Sequence, residues 1–274
     1  MSKIEYDPVK DKFSRIIKNS KVLRRLFYAL LDLFFLRSWH IRRLLKRETG
    51  QLDEGGEWTL LDAGSGFGQY DRFLLKTFPN VRVDAVDVKK DYLADCRHYF
   101  EQEIKEGRIT FSEADLLELD TGKKYDAAIC IDVLEHIEDD LRVMKNISAH
   151  LHKGGFLLMH SPSHYSEEDG EEDDSFVGEH ARPGYSKEEI SEKLNEAGFR
   201  VQNVHYTYGF WGHKAWVLSV KWPMLWFNKI GLPAFLPLLL YYPVVMPFCL
   251  LMNLADLYTS NHKGNGIYAL ARKI

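Results

Sequence analysis

Two patterns of apolar and polar positions alternate along this chain. From Trp58 onward, short apolar runs typical of buried strands alternate with segments whose apolar residues recur at helical spacing. Strands are predicted near 58–63, 81–87, 108–113, 125–131, 154–161, 199–208 and 265–273, and helices over 67–77, 89–105, 136–151 and 186–197. This order predicts an α/β fold in which a mostly parallel sheet is covered by helices on both faces.

The N-terminal segment differs from the rest in pattern and in charge. Apolar residues recur at roughly helical spacing over residues 10–47, with basic residues between them, which predicts one or two amphipathic helices. Residues 1–47 contain thirteen Lys/Arg and four Asp/Glu, whereas the remaining residues contain 23 and 36. A basic arm (1–54) on an acidic domain (55–274) favours a membrane or a nucleic acid as partner, the alternative being a solvated helical face.

Other features of the chain limit the possible classes of protein. The apolar run 26–36 imitates a signal peptide, but it contains Asp32 and lacks a small-residue cleavage site, so we expect no such peptide. Cys96, Cys130 and Cys249 match no metal or redox spacing, which favours a reducing compartment. The acidic run 167–174 could offer oxygen ligands to a metal, but a solvated loop is the preferred interpretation, and no metal site is predicted.

A glycine-rich turn, DAGSGFG at residues 62–68, joins the first predicted strand to a helix. Glycines allow a sharp bend and close approach to a ligand, and a helix start offers free N–H groups. The second strand ends at Asp87, whose carboxylate can accept hydrogen bonds from both hydroxyls of a ribose. The turn has Gly-x-Gly-x-Gly spacing instead of the Gly-x-Gly-x-x-Gly typical of dinucleotide binding. The unit therefore predicts a nucleoside site.

The order of these features resembles the class I S-adenosylmethionine-dependent methyltransferases, including those of quinone biosynthesis, over roughly residues 55–208 and 264–274. The resemblance implies a Rossmann-like, seven-stranded sheet whose last strand is antiparallel, and S-adenosyl-L-methionine as cofactor. It also implies the cofactor-binding residues: Asp62, Gly64, Ser65, Gly66 and Gly68 at the methionine part, Asp87 at the ribose, Val88, Asp115 and Leu116 at the adenine, and Asp132 and Val133 near the sulfonium. For Asp115 and Asp132, a helix N-cap is the alternative role.

Two histidines are candidate general bases. Methyl transfer from a sulfonium is a direct displacement that depends mainly on alignment, but an oxygen or nitrogen acceptor can need a base. His136 lies at a predicted helix start, and His180 precedes the helix at 186, a region that borders the acceptor pocket in similar enzymes. A packing or capping histidine is the alternative for each.

An apolar insertion at about 211–260 precedes the last predicted strand. Residues 232–255 include no charged residue over 24 positions, long enough for a membrane span, yet four prolines are expected to interrupt a straight helix. Because the flanking strands belong to one sheet, both ends of the insertion must emerge on the same side, which excludes a single crossing. An interfacial or re-entrant hairpin is predicted, with an apolar cap or a dimer interface as alternatives. Tryptophans and lysines precede the run, as expected at a membrane–water boundary: Trp211, Trp216, Trp222, Trp226, Lys221 and Lys229.

These observations predict methyl transfer to a hydrophobic or lipid-like acceptor at a membrane surface. The protein would be cytoplasmic and attached peripherally or monotopically. The rival functions are a dinucleotide-dependent oxidoreductase and a non-catalytic membrane adaptor that retains the fold. No nucleic-acid partner is expected, since the arm matches no recognisable RNA-binding module. The acceptor, the methylated atom and the oligomeric state stay open.

Overall fold

The computed structural model describes residues 20–166 and 181–274. Residues 1–19 of the predicted arm, the acidic run 167–174 and His180 lie outside the described residues. The strands are β1 (Trp58–Ala63), β2 (Val81–Asp87), β3 (Ile109–Glu113), β4 (Tyr125–Ile131), β5 (Leu151–Pro162), β6 (Phe199–Thr207) and β7 (Gly266–Lys273). They match the predicted strands closely because each is a short apolar run bounded by turn residues.

The seven strands form one sheet in the order β3-β2-β1-β4-β5-β7-β6. The strands from β3 to β5 pair in parallel, and β7 lies antiparallel between β5 and β6. This confirms the predicted mixed sheet with an antiparallel last strand. The chain runs outward from β1 to β2 and β3, then returns to β4 on the other side of β1. Ligands of open α/β sheets bind beyond the carboxyl ends of the strands at such a reversal.

Helices cover both faces of the sheet, as predicted. They are α1 (Lys21–Phe34), α2 (Leu36–Glu54), α3 (Gln69–Thr77), α4 (Lys90–Tyr99), α5 (Glu101–Lys105), α6 (Asp140–Ala149) and α7 (Lys187–Glu196). Leu44 of α2, Leu74 of α3 and Leu93 of α4 belong to one buried apolar cluster. Ile147 of α6 and Ile190 of α7 belong to a second. The sheet is therefore buried on both sides, as its nearly continuous apolar strands require.

The insertion between β6 and β7 is a helical hairpin. Its outgoing arm comprises α8 (Phe210–Trp216), a π-helical stretch (Val217–Lys221) and α9 (Trp222–Ile230), and its returning arm is α10 (Phe235–Tyr258). The hydroxyls of Tyr241 and Tyr242 donate hydrogen bonds to the carbonyls of Leu218 and Ser219, at 2.8 and 3.1 Å. These bonds tie the two arms together.

The expectation that prolines would interrupt the helix is wrong. Pro243 and Pro247 lie inside α10, which is continuous over 24 residues. Pro233 lies in a short 3₁₀ turn before the helix, and Pro237 lies in the first helical turn, where a missing N–H costs little. Packing against the outgoing arm stabilises α10 despite the two interior prolines, an effect of tertiary contacts that local pattern does not show.

A buried carboxylate attaches the base of the hairpin to α2. Asp256, near the end of α10, is fully buried and accepts the backbone N–H of Gly212 at 3.1 Å. Its other oxygen lies 3.4 Å from Nε2 of His40 on α2. A buried carboxylate needs such partners. The hairpin base is thus held by both its own outgoing arm and the N-terminal helices.

Candidate functional site

The glycine turn lies at the carboxyl ends of β1 and β2. Gly64, Gly66 and Gly68 have positive φ angles of 90°, 53° and 73°, a region that favours glycine. A Cβ on Gly64 would lie 2.3 Å from a methyl group of Val133, so the residue after Asp132 packs directly on the turn. A Cβ on Gly66 would meet no atom within 4 Å, which leaves room for close approach of a ligand to the backbone.

Asp87 at the end of β2 is held against the turn. One carboxylate oxygen accepts the N–H of Gly66 at 2.9 Å, and the other accepts the N–H of Lys89 at 2.8 Å. Ionised carboxylates have about four lone-pair sites, so each oxygen keeps capacity for a further donor. The sequence-predicted ribose acceptor is therefore oriented and able to accept two hydroxyls.

The other residues expected near the cofactor take varied positions. Ser65 has a buried hydroxyl that lacks a hydrogen-bond partner within the described part of the chain. Val88 is exposed and Leu116 is buried. Asp115 is exposed and its carboxylate accepts the N–H of Leu117 at 2.9 Å, so the helix-cap role considered for it is present in the structure. A capping carboxylate oxygen can still accept another donor.

Asp62 is part of a buried acid pair that the sequence did not reveal. Asp62 lies at the end of β1 and Asp71 lies in the first turn of α3; both are buried, and their carboxyl groups interact. Burial, with the charge of Asp71, raises the pKa of Asp62, and burial raises the pKa of Asp71 to about 7. Two such carboxyls share a proton more readily than they both ionise.

A row of polar side chains, linked by an ion pair and hydrogen bonds, lies at the carboxyl ends of β4 and β5. Asp132 has a positive φ of 54°, and its carboxylate binds Arg37 on α2 and Nδ1 of His160 on β5, the latter at 2.6 Å. Nε2 of His160 lies 3.2 Å from the hydroxyl of Thr207 on β6. Burial, with the charge of Arg37, lowers the pKa of His160 to about 3, so the imidazole is neutral. Its Nδ1–H therefore donates to Asp132, and Nε2 accepts from Thr207.

Sequence reasoning missed Arg37 and His160. His160 ends an apolar run, residues 156–159, in the same way that Asp87 ends the run of β2. Polar residues at the carboxyl end of a buried strand were thus the available signal. Gly266 leaves space for the side chains of His160 on β5 and Thr207 on β6. A Cβ at position 266 would lie 2.4 Å from Thr207 Oγ1 and 3.0 Å from His160 Nε2.

Helix α1 packs directly on the glycine turn. The carbonyl of Phe67 accepts hydrogen bonds from the Tyr28 hydroxyl and, at 3.1 Å, from Arg24. The Phe67 ring packs against Tyr92 of α4 with centroids 4.1 Å apart. Arg24 is buried, so part of the basic charge of the N-terminal segment serves the interior of the protein.

His136, the candidate base within the described residues, lies in a short 3₁₀ turn after β4 (Leu134–His136). It is half-buried and lies beyond the end of the same strand as Asp132. Its neighbour Glu135 is buried and accepts the hydroxyl of Ser161 at 2.9 Å, while the Glu135 carbonyl accepts the N–H of Ala181. The structure thus brings the segment that follows His180 beside the turn of His136.

The geometry agrees with comparisons to known proteins. Residues 61–157 match the family model of a methyltransferase domain, a range that includes the glycine turn, Asp87 and Asp132. This range, about a third of the chain, is the methyltransferase domain that the resemblance to the class I S-adenosylmethionine-dependent methyltransferases predicted. The predicted family, and with it the cofactor, is confirmed.

The curated relatives match less than half of the chain. Malonyl-[acyl-carrier protein] O-methyltransferase of Acetivibrio thermocellus is 27% identical over 121 residues, which are 43% of this chain and 36% of that protein. The chain spans about a third of the length of the curated relatives it matches. The activity of the whole chain and its acceptor are therefore proposals.

Two solved structures share the fold at low sequence identity. A methyltransferase of Clostridium acetobutylicum has a TM-score of 0.56 and 14% identity, over 97% of this chain and 99% of that one. Phosphoethanolamine N-methyltransferase 2 of Haemonchus contortus, in complex with S-adenosyl-L-methionine, has a TM-score of 0.59 and 18% identity, over 95% of this chain and 60% of that one. At these identities the likeness concerns the fold alone.

The residues of this site fit the cofactor. The open space at Gly66, the unpartnered hydroxyl of Ser65 and the spare acceptor capacity of Asp87 are each what a bound nucleoside with a charged tail would use.

Replacement of Asp87 by alanine is expected to weaken S-adenosyl-L-methionine binding at least tenfold. Each hydrogen bond to a charged group contributes about 1.5–3 kcal/mol, and about 1.4 kcal/mol is a tenfold change in affinity. Calorimetric titration measures the effect. Asp91→Ala, an exposed carboxylate of α4, is the matched control, and equal affinities of the two variants would contradict the assignment of Asp87.

The acid pair predicts an unusual dependence of stability on pH. Because the pKa of Asp71 is raised on folding, the folded state keeps a proton that the unfolded state loses between about pH 4 and 7. The free energy of unfolding should therefore fall as pH rises through this window, by at most about 1.4 kcal/mol per pH unit for one group.

Asp71→Asn removes this titration and donates an N–H to Asp62. We expect the variant to be more stable than the wild type at pH 7.5 and to have a smaller slope, with the remaining slope due to the buried Asp62, as measured by urea unfolding at pH 5.5 and 7.5. Glu192→Gln, at an exposed position of α7, is the control and should keep the wild-type slope. Identical slopes for Asp71→Asn and wild type would refute the shared proton.

Proposed function

We propose that this protein transfers a methyl group from S-adenosyl-L-methionine to a hydrophobic or lipid-like acceptor at a membrane surface. The observation that carries the proposal is the exposed apolar side of α10. Leu236, Leu240, Val244, Phe248 and Leu251 recur every three or four residues along it, with exposed fractions of 63% to 79%. Such spacing forms one continuous apolar stripe on a helix.

The length and exposure of α10 support a membrane setting. The helix is long and apolar enough to cross a membrane, a test that buried helices of soluble proteins also pass, but only 11% of its most apolar window is buried. With about 1.5 Å rise per residue it extends about 36 Å, compared with about 30 Å for a hydrocarbon core. The outgoing arm contains Lys214, Lys221 and Lys229, which favours a hairpin at the interface over a full crossing.

Helix α1 supplies a second apolar stripe. Val22, Leu26, Leu30 and Leu33 are exposed along it. The ring of Phe34, at its end, contacts Tyr242 of the hairpin with centroids 5.5 Å apart. Two interfacial elements together bind a bilayer more firmly than either alone.

The position of the hairpin supports an acceptor drawn from the membrane. The segment leaves the sheet after Thr207 and returns at Gly266, and these two residues are paired neighbours. Thr207 lies against His160, which binds Asp132. The apolar hairpin therefore begins and ends beside the proposed methyl-donor end of the site.

The bound cofactor supplies an electrophilic methyl group on a sulfonium. In our proposal Asp62, Gly64, Ser65, Gly66, Gly68, Asp87, Val88, Asp115, Leu116, Asp132 and Val133 hold it. Arg37 and His160 orient the Asp132 carboxylate, and His136 and His180 act as candidate bases for an acceptor hydroxyl or amine.

A charge on the apolar stripe tests the membrane surface. Leu240→Glu is expected to lower retention on phosphatidylcholine vesicles at least tenfold, since an acidic residue in hydrocarbon costs about 2.5–3.5 kcal/mol. Co-sedimentation measures retention, and Ile274→Glu, on an exposed apolar residue of the C-terminus, is the matched control. Equal retention of both folded variants would contradict membrane binding by this surface. A dimer that Leu240→Glu dissociates, seen by analytical ultracentrifugation, would identify the surface as a subunit interface.

Methyl-labelled cofactor tests the reaction. Incubated with membrane lipid extracts, the wild type should place label in an organic-soluble product detected by mass spectrometry. His136→Ala should lower that rate by about 10²- to 10⁴-fold, the range for loss of a general base, with cofactor affinity unchanged. Label that appears only in water-soluble products would refute the lipid-like acceptor.

A further inference from the structure

A cavity of about 270 Å³ lies apart from the cofactor site. It is a wedge between α2, the β6–β7 edge of the sheet and the segment that follows the hairpin. Its lining includes His40, Arg43, Arg47, Asn203, His205 and Tyr268. Basic, amide, hydroxyl and aromatic groups thus share one recess, a set of side chains that the methyl-transfer site does not use.

Two arginines one helical turn apart give the cavity its charge. Arg43 is positioned by the hairpin base: it donates to the carbonyl of Leu257 at 2.8 Å, and its guanidinium lies 4.3 Å from the centroid of the Tyr258 ring. Arg47 donates through Nε to Glu48 at 2.8 Å. A guanidinium has five N–H donors in a planar fork that matches phosphate oxygens, so both arginines keep further donors for a ligand.

Neutral donors and acceptors complete the lining. Rings of His40, His205 and Tyr268 form a cluster with centroids 5.6 to 6.3 Å apart. Burial lowers the pKa of both histidines, so they contribute neutral imidazoles. Asn203 and the hydroxyl-bearing Thr259 and Ser260 add polar groups at the rim.

Nearby carboxylates leave the arginine charges in excess. Glu48 is shared between Arg47 and Arg272, the second bond being 2.9 Å. Asp256 is fully buried behind His40 and is stabilised by the N–H of Gly212. Among the described lining residues and their contacts, the carboxylates are the half-buried Glu48, which is shared, and the buried Asp256. A site with arginine forks and neutral hydrogen-bonding groups beside them suits a compact anion.

We propose that this cavity binds a phosphate group. It lies at the base of the hairpin, beside the end of α10. If the hairpin lies in the membrane interface by its apolar stripe, as the proposed function implies, the cavity at its base lies close to the lipid headgroups. The phosphate can come from a lipid headgroup or from a soluble phosphate ester, and only the lipid source rests on the proposed function.

Paired neutral substitutions test the site. The double variant Arg43→Gln/Arg47→Gln removes both forks, and Arg47→Gln alone leaves the contact of Arg43 with Leu257 intact. Arg142→Gln, on α6 at the opposite face of the sheet, makes the same charge change elsewhere. The probes are inorganic phosphate, titrated by calorimetry, and vesicles of phosphatidylcholine with and without phosphatidic acid.

We expect the wild type and Arg142→Gln to bind inorganic phosphate equally. Arg47→Gln should bind at least tenfold more weakly, and the double variant should bind more weakly still, since each charged hydrogen bond is worth about a factor of ten or more. Loss of the preference for phosphatidic acid vesicles in the same variants would identify a lipid source. An unchanged vesicle preference with lost phosphate binding would identify a soluble ester.

Phosphate affinities of Arg47→Gln and the double variant equal to that of Arg142→Gln would overturn the proposal. The phosphate titration involves neither membrane nor methyl transfer. The site can therefore stand if the proposed function fails, and a failed titration leaves the hairpin experiment with Leu240→Glu unaffected.

Discussion

The antiparallel position of β7 between β5 and β6 is the constraint on which much of this structure depends. Thr207 and Gly266 are paired, so everything between them must leave and return within one strand spacing, about 4.8 Å. An apolar segment under that constraint forms a hairpin, and the hairpin emerges at the edge of the sheet where Asp132 and His160 lie. The same pairing requires a glycine at 266, because the His160 and Thr207 side chains occupy the space of a Cβ.

A second organising feature is that the N-terminal helices direct two of their arginines toward the interior of the protein. Arg24 binds the carbonyl of Phe67, and Arg37 binds Asp132, so two cations of the basic segment stabilise the glycine turn and the end of β4. Asp256 then attaches the hairpin to α2 through His40. The cofactor site, the N-terminal helices and the hairpin are consequently one connected unit.

Local pattern predicted the sheet and the glycine turn because both depend on short-range rules: apolar runs, glycine at positive φ and an acid at the end of a strand. Strand positions and the antiparallel β7 agree with those expectations. The continuity of α10 through Pro243 and Pro247 was mispredicted, since it depends on packing between arms distant in sequence. Asp71, His160 and Arg37 were missed for a related reason: each acquires its role from a partner on another element. Roles for His136 and the cofactor-binding set stay predictions.

The two faces of helix α1 are subject to different structural constraints. Its inward residues, Arg24 and Tyr28, meet the backbone of the glycine turn, whereas Leu26 and Leu30 face outward. In evolutionary terms, substitutions on the inward face are constrained by cofactor geometry, while those on the outward face can drift as long as they stay apolar. A comparison of related sequences should therefore find two rates of change alternating along a single helix, at a period of three to four residues.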